Sequence, residues 1–493
     1  MCEIARANPE LQDLEALISS VQTACKTINS LVQRAHITGM VGYADGGGSI
    51  NVQGEEQKTL DVMTNEVLKK ALRFTGKMGV IASEEEDVPV DVLEDDGLGS
   101  YNTNALMDET GRYTAVFDPL DGSSNVDAGI PTGTIFGIFE DTQSCIIPEE
   151  GCATPQLCLS NHLTSIHTHR RGRPSRVPTK HPPVLPVPRA CPTSSHRPRT
   201  LSMCRTRSCI DDEDDFPPDD CEIESVASQQ CLASTLQPGT SLVASGYCLY
   251  SSSTFFCLTL GAGVQIFTLD TMIGEFVLTH PNVKIAQRGQ IYSMNEANRN
   301  QWDAPLRTYI NDLQDGNGES GKRYTSRYIG SMVGDVHRTL LYGGIFGYPA
   351  DSKNVNGKLR LLYEAAPMAY LVEQAGGLAL TGKTRIMDLI PQSVHQRVPV
   401  ILGSPEDVRE LRKYYDIFTG SDTMDGDSEE AKAIRERCFT RLSPGQLLDT
   451  TMNKVPDSMA VDSTGDGKVD KIVKLPDDGK AKGLKALKGL EKA

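Results

Sequence analysis

The 493-residue chain contains no apolar run near the ~20 residues that a bilayer-spanning helix requires, so no membrane span is expected. Residues Met1 to Glu10 lack both the apolar core of a secretory signal and the Arg/Ser-rich character of a transit peptide. As written, the chain is therefore expected in the cytoplasm. Basic charge is short as well: 49 Lys plus Arg stand against 65 Asp plus Glu, a net −16 that disfavours nucleic acid and anionic membranes as partners and favours divalent cations. Hydrophobic residues make up 39% and aromatics 6%, with a single tryptophan, Trp302, so some segments are expected to stay outside any core. The 13 cysteines are odd in number, in a chain too long to need disulfides for its core, and a reducing compartment is the default.

A sharper absence is local. Between Gly151 and Ile210 there is no acidic residue, while prolines, arginines, serines and histidines crowd together. The segment has no periodic apolar pattern with which to offset its ordering entropy, so residues 151–220, including the acidic run Asp211 to Asp220, read as a disordered insert. The composition break also fits translated non-coding sequence. His162, His167 and His169 lie near Cys152 and Cys158, but no spacing matches a regular zinc ligand pair. The insert separates two halves, 11–150 and 221–420, and a lysine-rich stretch, 449–493, reads as a disordered tail. Within that tail, Asp462 to Val473 has alternate oxygen ligands and a glycine at the sixth position of a calcium loop, but Val473 stands where the closing glutamate belongs.

The halves are patterned. Leu14, Leu17, Ile18, Val21, Cys25 and Ile28 recur at helical spacing, and a second helix is expected over Asp61 to Thr75. Met78 to Ala82 reads as a strand delivering Glu84, Glu85 and Glu86 to its tip. Tyr113 to Phe117 and Gly133 to Phe139 read as further strands, and Pro367 to Gln374 as a helix stopped by two glycines. The alternation implies an α/β or α+β fold with mixed sheets.

Asp61, Glu84, Glu85, Asp118 and Asp121 fall at the ends of successive elements, where α/β proteins place their sites, and suit hard cations such as magnesium. The turn Asp118-Pro119-Leu120-Asp121 offers two carboxylates and a carbonyl, and Gly122-Ser123-Ser124-Asn125 offers closely spaced N–H groups and hydroxyls to an anion. Either Asp-Pro or Asp-Gly alone would merely make a turn. Both within four residues, after a Glu-Glu strand end, point to phosphoryl chemistry.

This stretch, Phe117 to Asp127 followed by Gly133 to Ile138, resembles the signature of the fructose-1,6-bisphosphatase family, with plastid-type features at Ser293-Met294-Asn295-Glu296. The resemblance resumes at Gln237-Pro238-Gly239 and Gly246 to Ser253, runs through Arg327 to Arg338 and Asn356 to Glu364, and ends near Gly403-Ser404-Pro405. It implies a layered α/β sugar-phosphatase fold with two mixed sheets and flanking helices, assembled as a homotetramer. It also implies hydrolysis of D-fructose 1,6-bisphosphate to fructose 6-phosphate and phosphate, in gluconeogenesis or the Calvin cycle, with two or more Mg2+ ions per site.

By the resemblance, Glu84, Asp118, the Leu120 carbonyl, Asp121 and Glu364 look like metal ligands, and Glu85 and Asp61 like the carboxylates that bind or orient the attacking water. Asp121, Gly122, Ser123, Ser124 and Arg360 look placed at the departing phosphate. Asn295, Arg327, Tyr328, Tyr348 and Lys358 resemble the clamp on the distant phosphate, Arg327 reaching across from a neighbouring subunit. Asn298 replaces a tyrosine common among relatives, and Glu55 an aspartate. His337, Arg338 and Tyr342 read as structural. Relatives begin with an AMP-binding loop that this chain lacks, implying AMP insensitivity. Cys145, Cys221 and Cys231 are candidates for a thioredoxin-reduced pair, which would place the protein in the plastid stroma if the N-terminus is incomplete. The rivals are a sedoheptulose-1,7-bisphosphatase, a catalytically silent isoform and a calcium-binding scaffold.

Overall fold

A computed structural model of the chain describes residues 11–42, 57–91, 113–140, 232–419, 428–439, 447–448, 458–461, 468–469 and 471–474. The chain separates into two units, Met1–Ser144 with Cys221–Ala493, and Cys145–Asp220. The second unit, and with it the insert and Cys145, lies outside the described residues, as do Glu55, Cys221 and Cys231.

The first expected helix is α1, Gln12–Thr38, and the second is α2, Thr59–Arg73. The apolar stripe of α1 is buried at Leu14, Leu17, Ile18, Val21, Cys25 and Ile28, and Gly39 ends it in the left-handed conformation, its N–H bonded to Ala35 O. An eight-stranded sheet follows: β1 (Met78–Ser83), β2 (Val90–Asp91), β3 (Tyr113–Asp121), β4 (Thr132–Glu140), β5 (Leu242–Tyr250), β6 (Thr254–Thr259), β7 (Val264–Asp270) and β8 (Glu275–Val283), in the order β2-β1-β3-β4-β5-β6-β7-β8. Within this sheet, among the described residues, only β1 and β3 pair in parallel.

Every residue of β3 is buried, because the β3–β5 part of the sheet is a middle layer covered on both faces, whereas β8 at the edge is largely exposed. Successive side chains divide between two cores: Ala115, Phe117, Phe136 and Ile138 face the side of α1 and α2, whereas Val116, Ile135, Phe139 and Tyr247 face the other. That second core also holds buried residues of α4 (Met332–Tyr342) and α5 (Ala366–Gln374).

A five-stranded mixed sheet is built from β9 (Ile291–Ser293), β10 (Thr325–Ser326), β11 (Ile345–Tyr348), β13 (Leu378–Leu380) and β15 (Val400–Gly403). Helices α3 (Ala304–Asp315), α6 (Pro405–Thr419) and α7 (Glu429–Phe439) share a third core with it. Between these parts, β12 (Leu359–Arg360) pairs with β14 (Arg397–Val398). The two mixed sheets with flanking helices match the architecture expected from the sequence.

The tail departs from expectation. Its residues Ser458–Val461 (β17) and Lys471–Lys474 (β18) form, with Leu447–Leu448 (β16), a three-stranded antiparallel sheet. Ala460 and Val469 are buried in the third core, so burial of small apolar residues orders a stretch whose composition reads as solvated. Of the calcium-like loop before β18, Asp462 to Gly467 and Asp470 lie outside the described residues. Among the described residues, no helix is long and apolar enough to cross a membrane.

Candidate active site

β3 ends in Asp118-Pro119-Leu120-Asp121, buried throughout. Asp118 Oδ1 accepts from Leu120 N at 2.9 Å, and Thr134 Oγ1 donates to Pro119 O at 2.8 Å, which fixes the turn. Gly122 then takes φ +74°, where an added Cβ would sit 3.1 Å from Asn125 Nδ2, so the Asp-Gly step requires its glycine. Beside it, parallel pairing of β1 with β3 brings Glu84 to the same end, its N–H donating to Phe117 O at 3.2 Å. Asp61, in the first turn of α2, accepts from Lys58 N at 2.9 Å and from Ser123 Oγ at 3.3 Å. Glu364 arrives on a single π-helical turn, Leu361–Ala365, inserted before α5.

These carboxylates line one cavity of 410 Å³. Acidic oxygens of Asp118, Asp121 and Glu364 lie within 4.8 Å of one another. Burial pushes Asp61 up to about 6, Glu85 to about 7, Asp121 to about 6 and Glu364 to about 8, and drives Asp118 well above the ordinary carboxylate value. Repulsion from Glu84 adds to each of these shifts. The hydrogen bonds that favour the charged forms run from Val333 N to Asp121 Oδ2 (3.2 Å), Gln57 Nε2 to Glu85 Oε2 (2.6 Å) and Arg360 N to Glu364 Oε2 (2.5 Å). Arg360, itself buried, pairs with Glu84 at 3.0 Å. An all-oxygen donor set this dense, with its charge raised in energy by burial, fits hard divalent cations.

The rest of the lining comes from dispersed segments. Tyr328, Gly330 and Ser331 precede α4, Tyr348 ends β11, and Lys358 adjoins β12 with its Nζ over the Tyr348 ring, 6.0 Å from the centroid. One cavity thus gathers Asp61, Glu84, Glu85, Asp118, Leu120, Asp121 and Glu364 with Gly122, Ser123, Ser124, Tyr328, Tyr348, Lys358 and Arg360. Two expected residues stand apart. Asn295 lines a small neighbouring cavity with Asn298, Trp302 and Tyr348, and its side chain caps a short helix by accepting from Ala297 N at 3.1 Å. Arg327 is exposed and does not line the cavity.

Reading the sequence missed Lys58, which lines the cavity and pairs with Asp127, and Asp335, which lines it from α4. Ser331, the N-cap of α4, was legible in principle as a Ser before a helical run, and its Oγ accepts from Gly334 N at 3.3 Å. His337 is turned away into the core, its Nδ1 2.8 Å from Tyr247 Oη.

Residues 2–151 and 223–281 match the family model "Fructose-1-6-bisphosphatase, N-terminal domain", and residues 285–416 match "Fructose-1-6-bisphosphatase, C-terminal domain". The chain is 45% identical over 404 residues to the chloroplastic fructose-1,6-bisphosphatase 1 of Arabidopsis thaliana, spanning 82% of this chain and 76% of that one. It is 45% identical over 402 residues to the chloroplastic enzyme of Spinacia oleracea, spanning 82% and 77%. The holo crystal structure of Leishmania major fructose-1,6-bisphosphatase superposes with a TM-score of 0.60 at 34% identity, covering 84% of this chain and 97% of that one. The signature turn, the layered sheets around it and these matches agree, and the chain belongs to the fructose-1,6-bisphosphatase family.

Proposed function

We propose that this chain hydrolyses the 1-phosphate of D-fructose 1,6-bisphosphate. The observation that carries the reading is a single cavity with a dense carboxylate wall on one side and Tyr328, Tyr348 and Lys358 on the other, inside a chain of this family. A bisphosphate needs one end held while the other reacts, and two walls of opposite character supply that.

The family uses a divalent metal, and the finer assignment is magnesium, two or more ions, held by Glu84, Asp118, the Leu120 carbonyl, Asp121 and Glu364. Bound there, magnesium supplies Lewis acidity and charge neutralisation at the reacting phosphate. Glu85 and Asp61, with values near neutrality, are poised to orient a water and take its proton. Backbone and hydroxyl donors of Gly122, Ser123 and Ser124, together with Asp121 and the Arg360 guanidinium, position the departing phosphate. Tyr328, Tyr348, Lys358 and Asn295 hold the distant phosphate, and Arg327 serves the cavity of a neighbouring copy in a homotetramer. The plastid stroma is the compartment that matches the chloroplastic relatives, and thioredoxin the matching redox partner.

The test is magnesium-dependent phosphate release from fructose 1,6-bisphosphate by the full chain and by a version lacking residues 151–210. Release that outpaces that from sedoheptulose 1,7-bisphosphate supports the reading. Silence from both folded proteins rejects it.

A further inference from the structure

Tyr348 and Lys358 sit at strand ends, whereas the segment that carries Tyr328 is a loop. Residues 327–330 leave β10 and reach α4 through Gly330 at φ +84°. Their backbone is held instead by two side chains of α4. Asp335, fully buried, accepts from Ile329 N (3.0 Å to Oδ2) and from Gly330 N (3.1 Å to Oδ2). One turn on, Arg338 Nη2 shares its two hydrogens among Asp335 Oδ1 (2.5 Å), Arg327 O (2.7 Å) and Ser293 Oγ (2.5 Å). Ser293 closes β9 two residues before Asn295, and Arg327 O directly precedes Tyr328. A single guanidinium nitrogen therefore ties together the segment that carries Asn295 and the segment that carries Tyr328, while Asp335 anchors that nitrogen to the helix.

We infer that Arg338, anchored by Asp335, is a positioning residue for the distant-phosphate side of the cavity: it touches no substrate, and it sets the spacing of the two backbone segments that do. This rests on the proposed bisphosphatase reading. The reason it matters is geometric. Tyr328 lines the main cavity and Asn295 the small one beside it, Tyr348 lines both, and a displacement of about 1 Å in either segment spoils the fit around one phosphate, a loss on the order of 100-fold in well-fitted sites. The carboxylate turn is secured chiefly by β1 and β3, and it meets α4 and its loop at two hydrogen bonds, Val333 N to Asp121 Oδ2 and Asn125 Nδ2 to Gly330 O, neither of which involves Arg338.

The distinguishing experiment compares fructose 1,6-bisphosphate with fructose 1-phosphate, which keeps the reacting phosphate and lacks the distant one, in the full magnesium-loaded protein. Arg338→Met is expected to lower the ratio of kcat/KM for bisphosphate over monophosphate by on the order of tenfold, mostly through KM. Arg338→Lys should recover part of that ratio, and Ser293→Ala, a smaller change that keeps the core filled, should lower it in the same direction. Equal losses on both esters would show a purely structural arginine and overturn the inference, as would an unchanged ratio in both Arg338→Met and Ser293→Ala. Inactivity of the unmodified chain toward both esters is a separate result that removes the bisphosphatase reading and this inference with it.

Discussion

The two walls of the cavity are made by different means. The carboxylate wall is a contiguous turn plus the tip of an adjoining strand: β1 and β3 pair in parallel, and the sheet delivers Glu84, Asp118 and Asp121 to one place as a consequence of register. The other wall is assembled from residues between 328 and 358 on loops and short strands, and hydrogen bonds from side chain to backbone hold its Tyr328 segment. Sheet pairing makes the first wall rigid at the expense of packing acidic groups together. The second wall carries little charge strain and depends on a few polar contacts for its shape.

Breaking the carboxylate wall should have the largest effect. Glu364→Gln is expected to cut magnesium-dependent turnover by on the order of 100-fold, since even partners behind metal ligands cost roughly 10–100-fold. The same change should raise the melting temperature of the metal-free protein at pH 8, because it removes a buried charge held near its neighbours. A thermal melt alongside the kinetic assay checks both, and a destabilised variant would contradict the account.

The pH dependence of the metal-free protein sharpens the same contrast. Asp61, Glu85, Asp121 and Glu364 have folded values of about 6, 7, 6 and 8, above their ordinary values of 3.8 or 4.5. Across that window the folded state binds more protons than the unfolded one, so stability should fall as pH rises from about 4 to about 8. Added magnesium should therefore raise the melting temperature more at pH 8 than at pH 5. A magnesium-induced shift independent of pH would count against the carboxylates as its ligands.

On the other wall, Lys358→Ala should raise KM for the bisphosphate by roughly tenfold with a smaller change in kcat, the pattern of lost uniform binding, measurable by steady-state kinetics. The smallest effect is expected where the walls meet. Asn125 Nδ2 donates to Gly330 O at 3.0 Å, linking the signature turn to the loop before α4. Asn125→Ala should cost about 1 kcal/mol of stability in denaturant melts, the worth of one partly exposed hydrogen bond, with a modest rise in KM.

The difference between the walls also explains what could be read in advance. Asp118 to Asn125 announces itself because carboxylates, hydroxyls and closely spaced N–H groups crowd one turn, and β3 and β4, buried almost throughout, read as short strands in the chain. Asp335 and Lys58 were not legible as cavity residues. Each is one charged side chain on a helix or at its start, and only packing turns it inward. The tail misled for the converse reason: its lysines are obvious, whereas the buried Ala460 and Val469 that seat its strands are small and isolated.

By itself, the sequence determined helices and strands of the two halves and the donor types crowded into the carboxylate turn, because these depend on periodicity and on residues adjacent in the chain. Tertiary structure alone decided which of the dispersed polar residues share the cavity, that Arg360 is buried against Glu84, and that Arg338 spans two distant loops. Those facts arise from contacts between segments far apart in the chain, where no local spacing records which side chains will meet.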